Sequence, residues 1–142
     1  MTYDKTIWKD TPSTDTPITA SNLNNMENGI YNLYPVILYQ NESGSNNTIT
    51  LSQNAYNFSI LDILGKTNDG DFISCRVYSP NRKHVTLSGI NSGTTFYIKN
   101  AVVIIADNKI TFDRSWELSA SSSGISTYQG NYIFITHVIG YK

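Results

Sequence analysis

The chain holds one cysteine, Cys75, among its 142 residues. This excludes an intramolecular disulfide and a cysteine-based metal cluster. Cys75 lies in "FISCRVY", an alternating strand pattern, and reads as a small buried hydrophobe rather than a nucleophile. No apolar run approaches the ~18 to 20 residues that a membrane-spanning helix needs, so no membrane partner is expected. Charge is scarce at 15% of residues, the formal net charge is -1, and Lys and Arg are scattered. No basic face exists for a phosphate backbone, which excludes nucleic acid as an expected partner. The opening "MTYDKTIWKD" lacks the positive start and apolar run of a secretory signal. The expectation is a protein made soluble in a cytosol, which reaches any outside target by another route than secretion.

What the chain has instead is Asn, Ser, Thr and Tyr, the composition of exposed β-rich surfaces that meet polar, uncharged ligands. Residues 1–17 are polar, with Tyr3, Ile7 and Trp8 as the only anchors, and read as an extended N-terminal arm. Residues 18–35 change character. Thr19 or Ser21 can act as N-cap, Pro35 closes the segment, and apolar residues fall at Leu23, Met26, Ile30 and Leu33. These intervals follow the a/d spacing of a short coiled coil. With Gly29 and several Asn inside it, such a helix is marginal alone and needs a partner. It either lies against its own β domain or associates in parallel with identical helices.

Residues 36–142 read as strands punctuated by turns. "VILYQ", "NTITLS", "FSILDILGK", "DFISCRVYS", "HVTLS", "TTFYIKN", "AVVIIAD", "KITFDRSWELS" and "NYIFITHVIGY" are β-branched and aromatic. Turn-forming stretches separate them, with "SASSSGISTYQG" read as a flexible loop. Strands at this spacing make a β-sandwich or barrel of jelly-roll type. "FSILDILG" is apolar on both faces, with Phe58, Ile60 and Leu64 on one and Leu61 and Ile63 on the other. A strand covered on both faces points to a subunit interface.

The stretch "TPSTDTPITASNLNNMENGIY" after Trp8 closely resembles the opening of minor tail, baseplate and tail-fibre proteins of bacteriophages and prophages of Gram-positive bacteria. There a "TPITAxNLNxME" element introduces a short helix. "ITLSQNAYNFSILDILGKTNDGDFISCRVYSP" and "NYIFITHVIGYK" are similar to the small β head that follows it. The resemblance covers most of the chain. It implies a homotrimer with a coiled-coil-like bundle at Leu23, Met26, Ile30 and Leu33. It also implies a jelly-roll-like head that presents a host-binding surface, and an arm that attaches to other tail or baseplate proteins. A virion protein assembled in the bacterial cytoplasm and released by lysis needs no signal.

Catalysis finds little support. A glycosidase needs two carboxylates roughly 5 to 10 Å apart, and most acidic residues of the head lie in turns. Asp113 and Glu117 share a strand, on one face and about 13 Å apart by strand rise. His84 and His137 have no second ligand at metal spacing, and "GSNN" and "SSSG" lack the Lys and helix of a phosphate loop. No cofactor or metal is expected; calcium at "NDGD" rests on few oxygens. A carbohydrate site asks only for an aromatic platform beside planar hydrogen-bonding groups. "FDRSWELS" offers Trp116 with Arg114 and Asp113, near Tyr128 in the serine-rich loop. Alternation puts Arg114 with Trp116 and Asp113 with Ser115. Trp116 is either such a platform or a core residue. The reading is a non-enzymatic receptor-binding protein of a phage tail tip that recognises a host cell-wall polysaccharide. The alternative is a purely structural baseplate or fibre subunit.

Overall fold

A computed structural model describes residues 20–92 and 95–142. The N-terminal arm, Ile18 and Thr19 lie outside the described residues. The chain divides into two units, Met1–Tyr34 and Pro35–Lys142.

In the first unit, α1 spans Ala20–Tyr31. Ser21 is inside the helix and is therefore not the cap the sequence offered. The helix closes with a tightening last turn, in which the amides of Leu33 and Tyr34 donate to the carbonyls of Ile30 and Tyr31 at 3.0 and 3.3 Å. Pro35 follows with no amide hydrogen to continue the ladder. Leu33 thus sits in the closing turn rather than on the helix. Leu23, Met26, Ile30 and Leu33 are all exposed.

The second unit is mainly β, built from two antiparallel sheets. Its strands are β1 (Val36–Ser45), β2 (Ile49–Thr50), β3 (Ile60–Thr67), β4 (Phe72–Tyr78), β5 (Lys83–Ser92), β6 (Phe96–Ala106), β7 (Lys109–Ser121), β8 (Gly124–Gln129) and β9 (Ile133–Tyr141). One sheet has the order β1-β9-β3-β4; the other has β2-β7-β6-β5, with β8 also paired to β7. Leu61 and Ile63 of β3, Ile135 and Val138 of β9, and Ala101, Val103 and Ile105 of β6 form one core with Leu38, Ile49 and Leu87. The sheets pack face to face, as in a sandwich. Each fully buried aliphatic side chain contributes about 1.5 to 3 kcal/mol relative to exposure.

Three expectations are corrected. The strand portions of "TTFYIKN" and "AVVIIAD" are one continuous strand, β6 (Phe96–Ala106), because Asn100 at their junction pairs in register with Ser88 and Trp116. The serine-rich loop is a hairpin in which β8 pairs with the end of β7, turning at Gly124 with φ +131. Phe58 is not on the side of Ile60 and Leu64. It precedes β3, after the short 3-10 turn Ala55–Asn57, and is buried. A Cβ on Gly140 would come within 2.5 Å of its ring, so the absent side chain of Gly140 makes the space that Phe58 fills. Ile60 and Leu64 alternate away from the core and are half-buried, as are Val102 and Ile104 of β6.

Candidate functional site

β7 changes face part-way along. Ile110 and Phe112 point inward opposite Ile105 and Val103, and then the register slips: Val102 pairs with Arg114, leaving Asp113 as an extra residue. Uninterrupted alternation would send residues 114 and 116 into the core. The bulge at Asp113 turns Arg114 and Trp116 outward instead and sends Ser115 and Glu117 inward, opposite Ala101 and Lys99. Trp116 is half-buried on the outer face, in a row with Asn100 and Gln129, and so is not a core residue.

A groove of about 470 Å³ lies over this bulge. Trp116, Arg114 and Asp113 line it from β7, Thr127 and Gln129 from β8, and Gly130 and Asn131 from the connection to β9. That connection is tied to β7 at one residue. The Gly130 amide donates to the Ser115 carbonyl at 3.2 Å, and the Tyr132 amide donates to the Ser115 hydroxyl at 3.3 Å. The hydroxyl in turn donates to the Asn100 carbonyl at 3.0 Å. Arg114 Nε donates to Asp113 Oδ2 at 3.2 Å, and both residues line the groove with Trp116.

The structure thus brings together Asp113, Arg114 and Trp116. Tyr128 does not join them. It is in β8 rather than a loop and pairs with Glu117, which places it on the opposite face, where it is 53% exposed. Nor do Asp113 and Glu117 share a face: the bulge puts Asp113 in the groove and turns Glu117 inward to Lys99 Nζ, 3.7 Å away. The "TNDGD" turn does not rim the groove, since Asn68 and Asp69 are both bonded to Lys99. Of the "NSG" turn, Asn91 and Ser92 belong to β5 and Gly93 lies outside the described residues.

No protein family, curated protein or solved structure matches this chain. The groove is therefore read from its own chemistry. An indole face, a guanidinium and a carboxylate, with the amides of Gln129 and Asn131, are an apolar plane ringed by planar hydrogen-bonding groups. A set of this kind has the chemistry to stack an apolar ring face and hydrogen-bond the polar groups around it.

Other candidate groups are placed as follows. His84 is exposed on β5, and His137 Nε2 stands 3.5 Å from Glu42 Oε1. Cys75 is half-buried against the core, and burial first, then the nearby Asp62 carboxylate, push its thiol pKa up, as suits a packing residue. Among the described residues, no group of three or more His, Cys, Asp or Glu is arranged to hold a metal ion. Sequence reasoning missed Lys99, which is buried at 1% exposure. The alternation Tyr97, Lys99, Ala101, Val103, Ile105 carries that signal, hidden because β6 was divided in two.

Proposed function

We propose that the chain is a receptor-binding protein of a phage tail tip or baseplate, whose head recognises a host cell-surface polysaccharide without cutting it. The observation that carries this is the bulge at Asp113, which sets Trp116 and Arg114 on the outer face within one groove. Bulges re-aim side chains at functional places in sheets. Binding rather than glycoside cleavage is the reading because Asp113 and Glu117, the acidic residues of β7, stand on opposite faces of the sheet and Glu117 is engaged with Lys99. The likeness of "TPITASNLNNMENGIY" to tail-protein openings supplies the biological setting: a virion part assembled in the bacterial cytoplasm and joined through its arm to other tail proteins.

Self-association into a homotrimer belongs to the same proposal. Its support is the exposed apolar series Leu23, Met26, Ile30 and Leu33 on a short, Asn-rich helix that needs partners. A jelly-roll-like winding is supported in part: β1 and β2 enter different sheets, beside β9 and β7 respectively. Several weak sites on one particle then bind a polymer tightly, since each further contact is intramolecular.

The test is sedimentation of the full chain with purified Gram-positive cell walls, before and after chemical removal of the wall polysaccharide. Retention only on intact walls is the expected result. Equal retention on stripped walls, or none on intact walls from any of a broad set of species, removes the polysaccharide from the account.

A further inference from the structure

Two register slips sit side by side in the other sheet. Along β9, Leu64 pairs with His137 but Gly65 pairs with Ile135, so Thr136 is an extra residue. Ile133 and Ile135 are buried, and plain alternation would carry residue 137 into the core. The extra residue places His137 on the outer face and returns Val138 to the inside. On the other flank of β9, β1 passes from Gln40 opposite His137 to Ser45 opposite Ile135, so Asn41, Glu42, Ser43 and Gly44 make an excursion. Gly44 permits it, with φ +78 and the position of a Cβ only 2.8 Å from Phe134 Cβ.

Both irregularities converge on one place. The excursion holds Glu42 with its Oε1 3.5 Å from His137 Nε2, accepting also from Gln40 Nε2 at 3.1 Å. Lys66 of β3 reaches across β9 and donates from Nζ to the Glu42 carbonyl at 3.1 Å. The far wall is Phe72, the first residue of β4 and 92% exposed. Leu64 lies between, paired on one side with His137 and on the other with Ser74. The groove so enclosed measures about 490 Å³.

We propose that this groove is a second saccharide-binding site, which takes a pyranose with its apolar face on Phe72 and its hydroxyls toward Glu42, His137 and Ser74. A second copy of the chain suits the place less well, because the centres of protein interfaces are depleted of charged groups, whereas Glu42 and Lys66 both line this groove. The groove lies on the opposite sheet from Trp116 and binds its sugar whether or not the Trp116 groove binds one.

The experiment is a titration of deuterated, 15N-labelled full chain with trisaccharides of glucose, galactose and N-acetylglucosamine, read by amide chemical shifts. The expected result is saturable shifts at Phe72, Ser74 and His137 with at least one sugar. These weaken at least about tenfold, or 1.4 kcal/mol, in Phe72→Ala and persist in Trp116→Ala. Phe72 is so exposed that its removal leaves the fold intact, which the same spectra verify. Absence of shifts at these amides with every sugar, or shifts unchanged in Phe72→Ala, overturns the site. So does a lower oligomeric mass of Phe72→Ala by sedimentation, which assigns the face to self-contact. Loss of shifts around Trp116 alone bears on the first groove and leaves this one standing.

Discussion

Lys99 Nζ donates to Asn68 Oδ1 at 2.8 Å and so ties the inner face of β6 to the β3–β4 turn of the opposite sheet. The same ammonium bonds Asp69 and lies 3.7 Å from Glu117, which is 13% exposed. A charged group in this position is stable only because oxygens from both sheets surround it.

Removing the cation leaves Glu117 facing the interior alone. Lys99→Ala is expected to destabilise the head by about 3 kcal/mol, at the low end for a broken buried pair because Asp69 is partly hydrated. Replacing the pair together, Lys99→Met with Glu117→Leu, recovers at least half of that loss. Urea midpoints measure both. A single-variant cost below about 1 kcal/mol would contradict a structural role for this cluster.

Arg76 grips Asp62 through two bonds, Nε to Oδ1 at 2.7 Å and Nη2 to Oδ2 at 2.6 Å. This hydrogen bonding, partly opposed by burial, holds the Asp62 carboxyl below its ordinary range. A depressed folded-state pKa adds stability that is present above the unfolded value and disappears as pH falls through the folded one. The stability gap between the natural chain and Asp62→Asn therefore shrinks as pH falls from about 5 to about 2. Thermal melts across this range check it, and a gap that widens toward acid contradicts it.

The helix stripe carries its own test. Ile30→Asp places a charge in the proposed seam, and light scattering on the full chain is expected to show the mass falling from three chains to one. A monomeric natural chain, or a variant that stays trimeric, removes α1 from the assembly.

Much of the head was legible because period-2 alternation reports burial directly. β3 alternates without a break, so the sequence separates Leu61 and Ile63 from Ile60 and Leu64, and the structure shows that the first pair faces the core. The misassignments have local causes. A polar Asn100 inside β6 reads as a strand end, yet it is paired on both sides. The serines of the β7–β8 hairpin have loop composition but meet an ordered partner strand, which moved Tyr128 to the wrong face. Bulges are the least visible feature, since one extra residue changes no composition. Trp116 could be read as core or platform until the slip at Asp113 was seen, and the same device at Thr136 hid the groove beside His137. No alternation shows the Glu42 excursion, because its residues pair with nothing in register.

The central claim rests on the indole. Isothermal titration of the full chain with solubilised wall polysaccharide, natural and Trp116→Ala, tests it most directly. The half-buried outer-face position predicts a folded variant whose affinity falls at least about tenfold, or 1.4 kcal/mol. An unchanged isotherm in the folded variant would contradict the assignment of the Trp116 groove as the receptor site.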